Sequence, residues 1–323
     1  MTASDRILDL AIIGSGIAGL AAAHAARETG LTCVILDKGR RVGGRVSTKR
    51  ARGFTFNHGA QFLTARAPAF VSATEIAIAH EALARWHVAG RDALAGQPTM
   101  RDFPNFLQKG ITVRQQTEIS AIRYGRDSIR LVDTTGEAFT ARQVIVTAPA
   151  PQAERLLQTV APELADLAAT ASYAPCWTAM YGFDAAPPAH DPAPIGDADG
   201  PVGWALWESD RPGGDLSNHA LTVQAAPGWS IEHLEDDAAD VAEALLLAWQ
   251  EASGQTVGTP ALISAHRWRY ARVVTAAAAG ETVVSHCGRL AVGGDWLGGA
   301  RIENAFLSGA RAADALAAAR HSL

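Results

Sequence analysis

Lysine and cysteine are both scarce in this 323-residue sequence, and their scarcity excludes several kinds of chemistry. The three cysteines, Cys33, Cys176 and Cys287, are odd in number and widely separated. That pattern is unlike the disulfide framework of a small secreted protein and unlike a zinc site. The three lysines all lie at or before Lys109. No lysine in the last two thirds of the sequence can therefore take part in a reaction.

The sequence also lacks a long hydrophobic run and an excess of positive charge. No apolar stretch reaches the ~20 residues that a membrane-spanning helix needs, and the first residues show neither the basic leader nor the cleavage site of a signal peptide. The formal net charge is -5, so the overall charge does not indicate nucleic acid or an anionic membrane as a partner. With 48% hydrophobic and 19% charged residues, the sequence predicts a globular cytoplasmic protein. Its length suits two domains, and its oligomeric state is left open.

The beginning of the sequence carries a glycine motif directly after an apolar run. Residues 7–13 are typical of a buried parallel strand, and Gly14, Gly16 and Gly19 follow with the spacing GxGxxG. Such glycines allow a tight turn, a close approach of the backbone to a pyrophosphate and close packing of the following helix. The sequence therefore predicts a dinucleotide site at this turn.

An Ala-rich helix and a second short strand complete the motif. The helix is predicted over Leu20–Glu28, with Ile17 and Ala18 in the glycine turn ahead of it as further cofactor-binding residues, and the unpaired backbone N–H groups at its N-terminus would face the phosphates. Asp37 ends the second strand, 18 residues after Gly19, where a carboxylate accepts a hydrogen bond from a ribose hydroxyl. The order of strand, glycines, helix, strand and acid is much more specific than the glycines alone.

Hydrophobic periodicity predicts the remaining elements, and their order indicates two domains. Alternating strands and helices at both ends of the sequence favour a parallel sheet there, whereas the middle favours an antiparallel sheet with helices. The predicted helices cover 68–87, 151–169, 234–252 and 302–320. The predicted strands are several within 111–146 and single strands at 202–208, 219–225, 262–270 and 290–292, and 184–203 is predicted to be an exposed loop.

The segment from Lys38 to Arg45 ends in Gly-Gly-Arg. Here the sequence resembles the large family of FAD-dependent amine oxidases, desaturases and their relatives. The resemblance implies that the cofactor is FAD, that Lys38 and Arg45 belong to its site, and that the backbone near Ile119 contacts adenine. Because Cys287 precedes the last strand rather than standing in an attachment motif, we expect the FAD to be bound non-covalently.

A second match to that family lies about 250 residues further on, after the last predicted strand. The resemblance implies that Asp295, within Gly294-Asp295, binds the ribityl chain. It also implies that the helix beginning at Ile302 and Glu303 presents N–H groups to one edge of the flavin. The sequence has no second GxGxxG after a strand, which disfavours a reductase with its own NAD(P)H domain.

Two further segments resemble those of the bacterial renalases, and this resemblance runs nearly from end to end. They are His58-Gly59-Ala60-Gln61-Phe62 and His266-Arg-Trp268-Arg-Tyr270-Ala-Arg272. The resemblance implies that residues 59–62 contact the flavin and that the substrate is a 2- or 6-dihydro isomer of NAD(P)H. Hydride would pass to FAD, and dioxygen would reoxidise the flavin, giving NAD(P)+ and hydrogen peroxide. Some renalases have Tyr where this sequence has Phe62, a departure that removes any hydrogen bond to the substrate from that position.

The segment 266–272 is predicted to be a strand whose side chains alternate between two faces. His266, Trp268 and Tyr270 share one face, and with Phe62 they are predicted to line the substrate cavity. A dihydropyridine becomes aromatic when it gives up a hydride, so we predict no catalytic acid or base and no metal. The candidates for contact with the substrate's phosphates are Arg66, Arg101 and Arg272.

Two other functions are open at this stage. A flavin amine oxidase or desaturase would act on an amine or another small reduced substrate. Amine oxidases of this fold usually hold a lysine-bound water at the flavin, contributed from the later half of the chain, and this sequence has no lysine there. A non-catalytic FAD-binding protein would share the cofactor motifs and show no turnover.

The predicted fold class is α/β, with a Rossmann-like FAD-binding domain and a second α+β substrate domain, as in the two-domain architecture of p-hydroxybenzoate hydroxylase. We expect the FAD-binding domain to combine residues 1–67, 110–150 and 284–323, and the substrate domain to combine 68–109 and 151–283. The expected partners are a dihydronicotinamide dinucleotide and dioxygen.

Overall fold

The computed structural model describes residues 7–190, 194, 196, 200–277 and 283–320. Part of the predicted loop 184–203 therefore lies outside the described residues. Those of its residues that are described before Val202 form no helix or strand. No helix in the described part of the chain is long and apolar enough to cross a membrane.

A seven-stranded sheet built from both ends of the chain confirms the predicted α/β class. Its strand order is β7-β2-β1-β10-β9-β8, and β15 pairs with the last residues of β10. The pairs among β7, β2, β1, β10 and β15 are parallel, whereas β8 and β9 form an antiparallel extension. The strands are β1 (Leu8–Ile13), β2 (Cys33–Leu36), β7 (Thr112–Arg114), β8 (Ile119–Tyr124), β9 (Ile129–Asp133), β10 (Ala138–Val146) and β15 (Leu290–Val292).

Two helices join the ends of the chain on this sheet. Helix α1 (Ile17–Glu28) begins directly after β1, and α8 (Ile302–Arg320) packs against it. The two helices approach so closely at Gly309 that a Cβ atom there would lie 2.0 Å from the carbonyl oxygen of Ala18. This contact places the predicted N-terminal and C-terminal motifs side by side.

The second sheet is antiparallel and has the strand order β12-β13-β11-β14. Helix α7 packs on it and shares with it a core that contains Trp177, Tyr181, Trp207 and Trp249. The elements are β11 (Ser172–Gly182), β12 (Val202–Trp207), β13 (Ala220–Ala225), α6 (Pro227–Glu232), α7 (Ala238–Ser253) and β14 (Leu262–Thr275). Helix α7 begins at Ala238 rather than at the predicted residue 234, because the carboxylate of Asp237 caps it by accepting from the N–H of Ala239.

The helix predicted for 68–87 is wrong in its second half. Helix α2 (Pro68–Ala79) ends where Glu81 takes a positive φ of 57°. Leu83–Val88 then forms strand β5, which pairs with β6 (Arg91–Gly96) in a hairpin. The apolar spacing of 68–87 fits a helix locally, but the cross-strand partner in β6 decides the conformation of the second half.

The helix predicted for 151–169 is two helices, α4 (Ala150–Leu157) and α5 (Pro162–Ala169). Proline at 162 lacks the N–H that a continuous helix needs, so a new helix begins there. The remaining elements are the hairpin β3 (Lys49–Ala51) and β4 (Phe54–Phe56) and helix α3 (Asp102–Leu107). Side chains of α2, β5, β6 and α3 share a core with β1, α1 and α8. The predicted division of the chain into domains stays a prediction.

Candidate active site

A cavity of about 2120 Å³ opens at the carboxyl ends of the parallel strands. Its lining includes Ile13 and Leu36, the last residues of β1 and β2, and Thr147, the first residue after β10. It also includes Gly294, two residues after the end of β15. Ligands of open α/β sheets bind at this edge. Pockets for a single small ligand are typically ~300–1,000 Å³, so the cavity is large enough for a dinucleotide cofactor and a second molecule.

The three glycines of the motif differ in what surrounds them. Gly14 has a φ of +103°, which favours glycine at the tight turn. A Cβ atom on Gly19 would lie 1.9 Å from the carbonyl oxygen of Gly14, so only glycine lets the helix approach the strand. A Cβ atom on Gly16 would meet nothing within 4 Å, and Gly16 lines the cavity. The open space at Gly16, beside the first N–H groups of α1, fits the pyrophosphate of a dinucleotide.

Asp37 follows the end of β2 and lines the same cavity. Its carboxylate accepts hydrogen bonds from the backbone N–H groups of Ser15, in the glycine turn, and of Gly39, at 2.6 Å. An ionised carboxylate has about four acceptor positions. Asp37 can therefore hold the turn in place and still accept from a ribose hydroxyl.

Arg45 and Asp295 lie 250 residues apart in sequence and form a bidentate ion pair with nitrogen–oxygen distances of 2.9 and 2.7 Å. Arg45 also donates to the carbonyl oxygen of Ala271 at 3.2 Å, and its guanidinium lies 5.8 Å from the ring centroid of Tyr173. The pair therefore connects the Gly-Gly-Arg segment near the start of the chain, the Gly294-Asp295 segment near its end, and strand β14. The structure brings together two charged residues, from opposite ends of the chain, that the sequence assigned to the cofactor site.

Most of the predicted site residues line this one cavity. They are Gly14, Gly16, Ile17, Ala18, Asp37, Lys38, Arg45, Ala60, Gln61, Phe62, Ile119, His266, Trp268, Tyr270, Gly294, Asp295 and Ile302. Gly19, Gly59 and Glu303 do not. Gly59 faces the backbone, since a Cβ atom there would lie 2.0 Å from the carbonyl oxygen of Arg45. The Glu303 carboxylate accepts from the N–H groups of Arg66 and Ala67 at 2.6 and 2.7 Å.

The predicted alternation along β14 places aromatic rings on the cavity side. The indole of Trp268 donates to the carbonyl oxygen of His58 at 2.8 Å. The rings of His58 and Trp268 are stacked with centroids 5.3 Å apart, and the ring of His266 meets that of Trp268 edge-on at 4.4 Å. Arg267 and Arg269 point the other way and form ion pairs with Glu235.

Both histidines of this cluster are held in the neutral form. Burial, together with smaller electrostatic contributions from His266, Arg101 and Lys49, lowers the pKa of His58 to about 3. Burial also lowers the pKa of His266, with a second contribution from the charge of Lys49. Neither ring is therefore a proton donor of the imidazolium type at neutral pH.

We expect the buried His58 to make the protein less stable in mild acid. The unfolded chain binds a proton at His58 near pH 6.5 and the folded chain does so only near pH 3. The free energy of unfolding should therefore fall as pH decreases below about 6.5, by on the order of 2 kcal/mol at pH 5. Urea unfolding at several pH values checks this: His58→Gln should flatten the slope between pH 6.5 and 5, whereas His286→Gln, at an exposed ring, should not. Equal slopes in all three proteins would contradict the prediction.

A buried polar network behind the cavity wall was not predicted. Glu208 accepts from the backbone N–H and side-chain amide of Asn57, both at 2.7 Å, and from the hydroxyl of Thr222. Arg211 donates to Glu208 at 2.9 Å and to the carbonyl oxygen of Gln61 at 2.7 Å, and also to the side-chain oxygen of Gln61. The network fixes the segment 57–61 against the second sheet. No motif marks Glu208 or Arg211 in the sequence, because their partners lie about 150 residues away.

The cavity also holds side chains that sequence reasoning missed, among them Lys49, Arg91 and Trp204. Trp204 contacts the ring of Phe62 at a centroid distance of 5.5 Å, and the guanidinium of Arg91 lies 5.7 Å from the centroid of the same ring. Of the predicted phosphate contacts, Arg66, Arg101 and Arg272 all line the cavity. Arg101 is partly committed to the backbone, since it donates to the carbonyl oxygens of Val42 and Thr48.

Positive charge is concentrated in this cavity. Fourteen of the chain's 28 Lys and Arg residues line it, against five of its 33 Asp and Glu residues. The chain as a whole carries a formal charge of -5, so the cavity has the opposite sign from the rest of the molecule. Clefts lined by one sign of charge attract ligands of the other sign. Among the described residues, no group of three or more His, Cys, Asp and Glu could hold a metal ion.

The sequence matches two family models that together span most of the chain. Residues 72–317 match the model described as flavin containing amine oxidoreductase. Residues 12–72 match the model of an NAD(P)-binding Rossmann-like domain. The second match covers the glycine motif and Asp37, and the first covers β14 and the Asp295 segment.

Two curated proteins match over a short segment of this chain. The possible lysine-specific histone demethylase 1 of Drosophila melanogaster is 42% identical over 53 residues, and polyamine oxidase 3 of Oryza sativa subsp. japonica is 44% identical over 52 residues. Each match covers 16% of this chain, and they span 6% and 11% of those relatives.

Solved structures match over nearly the whole chain. A putative protoporphyrinogen oxidase from Exiguobacterium sp. 255-15 has a TM-score of 0.71 at 16% identity, covering 95% of this chain and 98% of that one. A redesigned putrescine oxidase also has a TM-score of 0.71, at 13% identity, covering 97% and 99%. At these identities the structures establish the shared fold.

Proposed function

The chain belongs to the family of flavin containing amine oxidoreductases, and from this premise we propose that it is an FAD-dependent oxidase of dihydronicotinamides. The proposed substrates are the 2- and 6-dihydro isomers of NAD(P)H. The flavin would accept the hydride and pass the electrons to dioxygen, so that NAD(P)+ and hydrogen peroxide are the products. None of the three cysteines lines the cavity, which supports non-covalent binding of the cofactor.

The observation that carries the proposal is the charge of the cavity. Of the fourteen cationic residues that line it, Arg267 and Arg269 turn their side chains to Glu235. The other twelve, against five anionic residues, leave more positive charge than the pyrophosphate of one FAD would neutralise. A second molecule that also carries a pyrophosphate would be attracted to the remaining arginines. An amine or polyamine, which is cationic at neutral pH, would be repelled.

The side chains on the cavity face of β14 suit a substrate that needs no proton removed. His58 and His266 are neutral, and the rings of Trp268 and Tyr270 offer apolar surface for a nicotinamide. Gln61 is fixed by Arg211 from behind, so the wall it belongs to is held in a single geometry. These residues would orient the ring and exclude water, which is the protein's main task in a direct hydride transfer.

Amine oxidation is the second candidate, and the family match favours it. The named relatives include a polyamine oxidase and a putrescine oxidase. The same cavity charge argues against a cationic substrate. A non-catalytic flavin protein would have no need of an aromatic surface that lines the same cavity as the dinucleotide site.

Anaerobic mixing of the purified holoprotein with candidate substrates tests the proposal. We expect 6-dihydro-NAD to bleach the visible flavin absorption within seconds, and admission of dioxygen to restore it with formation of hydrogen peroxide. Putrescine and benzylamine should leave the absorption unchanged. Bleaching by the amines alone would establish the second candidate, and bleaching by none of the three would leave the proposal without support.

We expect flavin reduction to depend on ionic strength in proportion to the substrate's negative charge. Raising the ionic strength from ~10 mM to ~1 M shortens the screening length from ~30 to ~3 Å and should lower the second-order rate constant for 6-dihydro-NAD about tenfold. The matched control is the dihydronicotinamide riboside, which lacks phosphates and should lose less than about twofold. The same dependence for both donors, measured by stopped-flow absorption, would contradict electrostatic attraction by the cavity.

A further inference from the structure

Lys49 is a cationic residue of the cavity, near the rings of His58, His266 and Trp268, that the sequence analysis does not predict. It lies at the start of β3, more than two hundred residues from β14 in sequence, and its Nζ donates to the hydroxyl of Ser264 at 2.7 Å. Ser264 precedes His266 by two residues on β14, so Ser264, His266 and Trp268 share one strand face, ahead of the register shift that lies between Trp268 and Arg272. Lys49 therefore sits at one end of the aromatic surface.

The Lys49 ammonium group carries a charge that the protein does not neutralise nearby. No ion pair to Lys49 forms among the described residues, and its hydrogen bond to Ser264 is to a neutral hydroxyl. This charge also acts on the neighbouring histidines. It lowers the pKa of both His58 and His266, as a smaller contribution than burial. An ammonium has three N–H donors and no acceptor, so two donors are left after Ser264 is satisfied.

The Lys49–Ser264 pair therefore offers hydrogen-bond donors and positive charge beside flat neutral rings. Accepting from Lys49 leaves the hydroxyl hydrogen of Ser264 free to donate as well. The complementary chemical group is an oxygen that only accepts, with negative charge or polarisation, attached to a flat ring. A protonated amine is mismatched twice, since it is a cation and has only donors.

We propose that Lys49 Nζ and Ser264 Oγ form a recognition site for the acyl oxygen of an aromatic or dihydroaromatic substrate. For the function proposed above, on which this identification of the ligand rests, that oxygen belongs to the carboxamide of the nicotinamide. The pair determines specificity by selecting an acyl group and rejecting an amine on the same ring.

The test uses three ligands that share a ring and differ in the group attached to it. Benzoate, benzamide and benzylamine are titrated into the holoprotein, and binding is followed through the shift of the flavin spectrum. The wild-type protein should bind benzoate and benzamide more tightly than benzylamine. Lys49→Met should weaken benzoate about tenfold or more, as expected for the loss of a hydrogen bond to a charged group. The same variant should bind benzylamine as well as or better than the wild type does.

Two further variants separate recognition from folding. Ser264→Ala should weaken benzamide several-fold, and Lys109→Met, a lysine outside the cavity, should change none of the three affinities. An equal loss for all three ligands in Lys49→Met, or no preference for acyl ligands in the wild type, would overturn the proposal. Because no dihydronicotinamide is used, this result is independent of the proposed function, which fails separately if 6-dihydro-NAD does not reduce the flavin.

Discussion

Gly16→Val should greatly weaken FAD binding and leave the apoprotein folded. A Cβ atom at Gly16 meets nothing within 4 Å, and φ is -68° there, so valine is sterically allowed in the protein itself. Its methyl groups would occupy the space that the glycine leaves for a pyrophosphate. We expect the dissociation constant for FAD, measured by fluorescence titration of the apoprotein, to rise by about 100-fold or more, which corresponds to ~2.7 kcal/mol.

The neighbouring Gly19 gives the contrasting outcome. A Cβ atom there would lie 1.9 Å from the carbonyl oxygen of Gly14, so Gly19→Ala should force α1 away from β1 and destabilise the apoprotein by about 3 kcal/mol. Urea unfolding of both apoproteins measures the contrast, and Gly16→Val should lie within about 1 kcal/mol of the wild type. Retention of FAD by Gly16→Val would mean that the phosphates do not lie at this glycine.

Arg211→Met should destabilise the protein by about 3–5 kcal/mol, the cost of leaving a buried charge without its partner. The side chains of Arg211 and Glu208 are each only 2% exposed. Without the guanidinium, Glu208 would keep its charge among Asn57 and Thr222, and Gln61 would lose two of its hydrogen bonds. Because Gln61 lines the cavity, flavin affinity should fall as well.

Matched variants identify burial as the cause. Arg85 forms a comparable ion pair with Glu75 at 2.9 Å, but the two side chains are 69% and 50% exposed. Arg85→Met should therefore cost less than about 1 kcal/mol. Adding Glu208→Gln to Arg211→Met removes the buried charge and should recover about half of the lost stability in urea unfolding. If Arg211→Met lowered the free energy of unfolding no more than Arg85→Met does, burial would not be what makes the Arg211–Glu208 pair important for stability.

Local sequence patterns predicted the structure correctly wherever the conformation of a residue depends on its neighbours in the sequence. The glycine turn, β1, α1 and Asp37 lie within thirty residues and interact with one another. The alternation from His266 to Trp268 likewise fixes which side chains share a face, whereas the register shift between Trp268 and Arg272 arises from pairing with β11. The predicted end of α2 at residue 87 was wrong, because the conformation there depends on a strand that is not a close neighbour in the helical pattern. The conformation of Leu83–Val88 is decided by pairing with β6, and an apolar helical spacing does not reveal that partner.

The sequence by itself determined the dinucleotide turn, the α/β class and the two charged residues, Arg45 and Asp295, that belong to opposite ends of the chain. Only the tertiary structure joined those two in one ion pair and brought Lys49 to Ser264. It alone showed that half of the Lys and Arg residues of an acidic protein line one cavity. The physical reason is that turns and periodicities arise from bonds between neighbours, whereas the charge and shape of a cavity arise from residues that only folding brings together.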